Sequence, residues 1–303
     1  MISDLELPPG YVLTPEDMVR ELKHLPSAPK VLPRLKQMLG DGNSAMHEIV
    51  ALIRLDPGIV ARVLQVANSA YFSQGVRCYT VDDAVQRVGY DQVLELVSLA
   101  VASQVLVRPL EVYGIEADEL WKMSVAGALA AELLADRTGQ DHDAAYTVGL
   151  LHCVGMVAID EWALRNVPSF RLRTGDFPRE ATESERAKLG FTQAEAGGAL
   201  LRLWGFPTPI VEPVRWQYSP RASASQVRMA VLLYAAKWLR NTVCGRRPAT
   251  PEAILLQPIG LTPAKLTTLA SEVAQRLAAI SSLLDHVNTD CTARLNFPGR
   301  NWN

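Results

Sequence analysis

The sequence predicts an all-α protein on three observations. Helix-start motifs recur along the chain, the apolar residues between them return every three to four positions, and no stretch sustains strand alternation. Thr14-Pro15-Glu16-Asp17 supplies an N-cap, a proline at the first helical position and carboxylates on the first-turn dipole, so a helix begins there. Asp56-Pro57-Gly58 breaks one helix before another, in which Ile59, Val63 and Val66 lie beside Val60, Leu64 and Ala67 at helical spacing. Thr80-Val81-Asp82-Asp83, Thr182-Glu183-Ser184-Glu185 and Thr192-Gln193-Ala194-Glu195 have capping-box spacing, with Asp in place of Glu or Gln in the first. Leu120, Val125, Leu129 and Leu133 mark a further amphipathic helix. Thr262-Pro263 repeats the cap-plus-proline start and opens a helix expected to run over 262–286, after which the tail from Asn288 reads as loosely held. About a dozen helices fit the length.

The composition is that of a globular protein: 30 Lys and Arg against 32 Asp and Glu give a net charge of −2 over 303 residues, 49% of which are hydrophobic. The charge is divided unevenly. Residues 1–160 carry 12 basic and 21 acidic side chains, residues 161–303 carry 18 and 11, and most of the latter cations are Arg. Such a surplus suits either a partner-facing basic surface or complementary faces between two halves of the chain. The apolar run 96–107 is too short for a bilayer, which needs about 20 residues, and the N-terminus has none of the basic-then-apolar pattern of a signal peptide. A cytoplasmic protein without membrane segments is expected. Cys78, Cys153, Cys244 and Cys291 are far apart and form no CxxC pair, so neither a disulfide framework nor a zinc cage is indicated. No HExxH, GxSxG or phosphate-binding loop is present. Soft boundaries fall near 108–117 and 245–251.

Several residues carry more specific expectations. Asn68-Ser69 ends the helix after Pro57, Asn because it tolerates left-handed backbone and Ser because it bonds local backbone. Tyr71 and Phe72 can pin that corner to the core or present an aromatic edge to a partner. Arg62 faces away from the apolar stripe and is expected to pair with a carboxylate such as Asp56 or Asp83. Cys153 beside His152 raises the question of a thiol nucleophile with its base. In a continuous helix, however, adjacent residues diverge by about 100°, which favours a packed core thiol. Gly149 and Gly155 flank this apolar segment and suggest close helix packing.

Segments 25–39, 53–72, 80–96, 120–135 and 146–159, together with the stretch from Gly197-Gly198 to Trp204-Gly205-Phe206-Pro207, resemble in order and spacing the HDOD family. HDOD modules are helical relatives of the HD metal-dependent phosphohydrolases found in bacterial signalling proteins. The resemblance covers most of residues 14–240. It implies an N-terminal helical subdomain (14–110) packed on a degenerate HD-like subdomain (115–240), with a C-terminal helical extension over 248–290. It also implies where the HD metal ligands would stand. Met123 occupies the position of the first His, His152 is kept, Cys153 replaces the Asp, and Ala236 takes the last Asp position, with Ala235 or Lys237 there if the register slips by one. Gln193 and Gln217-Tyr218 lie where related sequences carry histidines.

A hydrolytic metal needs several N and O ligands with open positions remaining, and one ligand of four does not supply them. The resemblance therefore implies a non-enzymatic regulatory module without cofactor or metal, acting on signalling proteins, with Arg62, Asn68, Ser69, Tyr71, Phe72, Gln193 and Gln217 as pocket or partner-facing candidates. His152 is expected to be a neutral imidazole bonded to a backbone carbonyl or a neighbouring side chain. An atypical phosphohydrolase and a nucleotide- or anion-sensing pocket are the alternatives. Nucleic acid is not an expected partner, since the first half is acidic and no dense basic recognition helix stands out. Homo-oligomerisation stays open, and any input is expected to come from another chain.

Overall fold

The computed structural model describes residues 13–20, 35, 38, 45–68, 77–89, 93, 109–174 and 179–293, with no side-chain description for residue 46 or beyond residue 282. Among these residues the chain is helical, with no strand beyond an isolated bridge between Leu110 and Ile115. The helices are α1 (Pro15–Val19), α2 (Met46–Ile53), α3 (Pro57–Ala67), α4 (Val81–Val88), α5 (Ala117–Thr138), α6 (His142–Leu151), α7 (Val154–Asn166) and α8 (Arg179–Leu189). They continue with α9 (Gln193–Leu203), α10 (Thr208–Arg215), α11 (Val227–Val243), α12 (Ala253–Leu256), α13 (Pro263–Thr268) and α14 (Ala270–Ala293).

Local chemistry sets most of the starts. Thr14 accepts from the Asp17 N–H at 3.1 Å, Asp56 from Ile59 at 3.0 Å, Thr80 from Asp83 at 2.9 Å and Thr262 from Lys265 at 3.3 Å. Thr192 and Glu195 form the full capping box. Two starts differ from the sequence reading. Thr182 lies inside α8, because a capping-box spacing carries no information about whether the preceding residues are already helical. The helix expected over 262–286 is instead two helices separated at Leu269, and the second continues to Ala293.

The long α5 organises the second half. It ends at Gly139, whose φ of 63° lets the chain reverse, and α6 returns along it. The two approach closely at Gly127 and Gly149, where a side-chain carbon on Gly127 would stand 2.8 Å from the Gly149 carbonyl oxygen. α11 and α14 also pack on α5, while α7 packs on α9, which carries α1 and α10. Gly155 of α7 lies so near the Gln193 carbonyl that any side chain there would overlap it. Gly149 and Gly155 serve close packing, as their sequence context suggests.

Among the described residues, which do not include 96–107, the stretch His142–Asn166 is the one long and apolar enough by composition to cross a membrane. Of its most apolar window, 89% is buried inside the protein, and it is broken at His152-Cys153. That is the pattern of paired core helices.

The N-terminal helices join this core through polar contacts. Trp121 Nε1 donates to the Leu55 carbonyl at 3.2 Å, and the Tyr146 hydroxyl donates to the Arg54 carbonyl at 3.0 Å. Asn68 is buried, and its side chain closes a ring with one residue: Nδ2 donates to Cys78 O and Oδ1 accepts from Cys78 N, both at 2.7 Å. Its φ of −92° and ψ of 0° are not left-handed, so Asn serves here through this double bridge and not through backbone tolerance. Arg62 is exposed and donates to Gln65 Oε1 at 2.7 Å, one helical turn on, instead of reaching Asp56 or Asp83. Ser69, Tyr71 and Phe72 lie outside the described residues.

Candidate functional site

The candidate site forms where α6 ends. His152 caps the C-terminus of α6 and Cys153 immediately caps the N-terminus of α7, so the two residues span a corner and not a continuous helix. This changes their relation. Cys153 Sγ comes within 3.1 Å of His152 Nε2, closer than helical phasing implies.

His152 is fully buried. Its Nδ1 lies 2.5 Å from the Gly149 carbonyl oxygen, and Arg240 Nη1 approaches Nε2 at 2.6 Å. A guanidinium can only donate, so Nε2 offers its lone pair and Nδ1 carries the proton that goes to Gly149. Desolvation pushes the imidazole pKa well below its usual range, and Arg240 and Lys237 push the same way. The ring is a neutral acceptor for a resident cation.

Arg240 comes from α11, one turn after the buried Ala236. Its other terminal nitrogen donates to Asn241 Oδ1 at 2.6 Å, and Nη1 also approaches Cys153 Sγ at 3.6 Å. Burial raises the Cys153 pKa, and the two cations offset only part of that effect. The group is a thiol and not the thiolate a nucleophile requires. Met123 is buried on α5 one turn before Gly127, and a side-chain carbon on Gly127 would stand 2.7 Å from His152 Cε1. Cys153, Arg240 and the α5 backbone at Gly127 thus gather around one imidazole.

A second layer surrounds them. Gln217 Nε2 donates to His152 O at 3.0 Å and to Val214 O at 2.9 Å, fastening the end of α10 to the corner. Gln193 Nε2 donates to the Tyr218 hydroxyl at 2.8 Å, and the Gln193 backbone N–H donates to Glu185 Oε2 at 2.8 Å. Glu185 also accepts from Tyr113 at 2.7 Å. Desolvation raises the Glu185 pKa to about 7 against these two hydrogen bonds. Lys237 is buried 3.5 Å from the Tyr218 ring centre and from the Gln217 carbonyl, and its pKa is pushed down chiefly by desolvation. Gln193 and Gln217 are therefore core hydrogen-bonding groups and not partner-facing ones.

These residues do not fit a divalent metal. The one imidazole nitrogen that could ligate is taken by a guanidinium, and a cation placed there would meet Arg240 and Lys237. Among the described residues no three His, Cys, Asp or Glu side chains gather as a metal site. The carboxylate of Asp160 is directed elsewhere, accepting from the Val112 N–H at 2.8 Å. Sequence reasoning missed Arg240, Glu185 and Tyr113. Lys237 and Arg240, two cations in an otherwise apolar run that begins at Met229, were the available signal for the first.

A family model of the HDOD domain matches residues 25–220. The chain belongs to the HDOD family. HDOD proteins are related to the HD phosphohydrolases. An uncharacterised protein of Treponema pallidum (strain Nichols) is 28% identical over 201 residues, 64% of this HDOD chain but only 38% of its own length. The MmoQ response regulator of Methylococcus capsulatus has the same fold at a TM-score of 0.63 and 22% identity, over 82% of this chain and 99% of its own. A virulence factor of Campylobacter jejuni superposes at a TM-score of 0.65 and 19% identity, covering 87% and 96%.

Proposed function

We propose that the chain is a non-catalytic regulatory module of bacterial signal transduction, working inside the cell through contacts with other signalling proteins. The observation that carries this reading is the 2.6 Å contact between Arg240 and His152 Nε2, which puts a permanent positive charge on the lone pair an HD enzyme would give to its metal. Met123, Cys153 and Ala236 at the other ligand positions support it. The resemblance in fold to a protein named as a response regulator is consistent with a signalling role.

The test is direct. Purified protein is assayed for bound metal by mass spectrometry and, with added Mn²⁺, Fe²⁺ or Mg²⁺, for hydrolysis of cyclic dinucleotides and nucleotides. The expected result is no stoichiometric metal, no turnover, and a Tm that moves by less than about 1 °C with metal. Stoichiometric metal with turnover abolished by His152→Ala overturns the reading.

A further inference from the structure

A cleft of about 670 Å³ opens where α2 and α4 meet α5, α6 and α14. Its volume falls within the range of small-molecule sites, about 300–1,000 Å³. The walls are largely apolar: Val50, Val85, Leu129, Ile280 and the ring of Tyr146. Three charged groups break this surface, namely Arg54, Asp82 and Glu132.

The charges are unevenly matched. Arg54 is shared among Asp143 at 3.5 Å, Asp82 at 3.7 Å and Glu132 at 3.8 Å, while its guanidinium carbon lies 4.8 Å from the centre of the Tyr146 ring. Glu132 has a second cation, Arg276, at 3.6 Å. Both of its ion contacts exceed hydrogen-bond distance, and among the described residues Glu132 accepts no hydrogen bond. Burial raises its pKa although both arginines lower it. A half-buried carboxylate on an apolar wall gains most from a ligand that brings its own N–H donor and positive charge. An anionic ligand would instead find Arg54 already shared among three carboxylates and would face Asp82 and Glu132 together.

We propose that this cleft binds an amphiphilic organic cation, a protonated amine or guanidine on an apolar body, with the charged end on Glu132 and the body against Leu129, Val50 and Ile280. The site is independent of the His152 corner and stands whether or not the chain hydrolyses a substrate. Because Arg54 and Tyr146 also join α2 to α6, an occupant would touch both helical halves at their seam.

The experiment uses the full chain and three probes that share one body: 4-phenylbutylamine, 4-phenylbutyrate and 4-phenylbutanol, titrated by calorimetry. The amine is expected to bind at least about tenfold more tightly than the carboxylate. Glu132→Gln should erase that preference while leaving the weaker binding of the alcohol, and Ala51→Trp, at an exposed position on the rim, should block all three. Circular dichroism confirms that both variants are folded. Equal or tighter binding of the carboxylate, amine binding indifferent to Glu132→Gln, or no amine binding at millimolar concentration overturns the proposal.

Discussion

Arg240, one turn after Ala236 on α11, donates to His152 Nε2 at 2.6 Å. That helix thus sets a cation against a fully buried imidazole. The corner is thereby held by hydrogen bonds between protein groups.

Arg240→Ala should cost about 3–5 kcal/mol, the usual penalty for breaking a buried polar network and emptying a large volume. It strips the donor from both His152 Nε2 and Asn241 Oδ1. Arg240→Lys should recover less than half of that loss, because one ammonium on a flexible stem does not reproduce two fixed N–H directions. Urea denaturation of the three proteins measures this. Equal stability of the Lys variant and wild type would show that the geometry is unimportant.

Glu185 should make stability depend on pH. Its folded pKa of about 7 lies above the ordinary 4.5, so the folded state binds the proton more tightly than the unfolded state. The resulting stabilisation is complete below pH about 4.5 and is lost as pH rises through about 7, a change of about 3 kcal/mol. Glu185→Gln keeps an acceptor for the Gln193 N–H, and the Tyr113 hydroxyl can turn to accept from the new amide. Its stability should therefore be flatter across that window, as read from urea midpoints at successive pH values.

What the sequence disclosed and what it hid divide along the reach of the interactions. Helix starts at Thr14, Asp56, Thr80, Thr192 and Thr262 were legible because a cap and the amide it satisfies lie within three residues. The break between His152 and Cys153 was not, since both neighbouring segments are apolar at helical spacing and only tertiary packing decides where the chain turns. The same limit applies to Arg240. A periodic reading places it one turn from Ala236, but nothing local says that its guanidinium occupies the space beside an imidazole 88 residues away. For Gln193 and Gln217 the sequence left a pocket place and a partner-facing one open, because burial, which sets the second aside, is a property of the assembled helices.

Gly155→Ala should be far more damaging than its single added methyl suggests. The new carbon would overlap the Gln193 carbonyl, which is backbone in α9 and cannot rotate away. Overpacking typically costs about 1–3 kcal/mol, and here α7 and α9 must separate along their contact, so the upper end or beyond is expected. Gly245→Ala is the control. Its φ of 79° makes it strained, but there is open space around it, so a loss of about 1 kcal/mol should follow. Thermal denaturation of the pair gives the ordering, and a milder effect at Gly155 would mean the helices part easily.

Asn68 should be sensitive to the identity of its atoms and not merely its size. It is buried at the end of α3, and its amide supplies one donor and one acceptor to the two backbone groups of Cys78. Asn68→Ala leaves both of those groups unsatisfied, a loss of about 2–3 kcal/mol. Asn68→Asp keeps the acceptor for the Cys78 N–H but sets a carboxylate oxygen against the Cys78 carbonyl, so at neutral pH it should be at least as destabilised as the Ala variant. Protonation restores a donor toward that carbonyl, so the folded pKa of the new Asp should lie above the ordinary carboxylate range. Its deficit relative to wild type should accordingly shrink as the pH falls below about 5. Urea midpoints for the three proteins at pH 4.5 and 7.5 decide the matter: a deficit in the Asp variant that does not change with pH would mean the Cys78 carbonyl has found another partner.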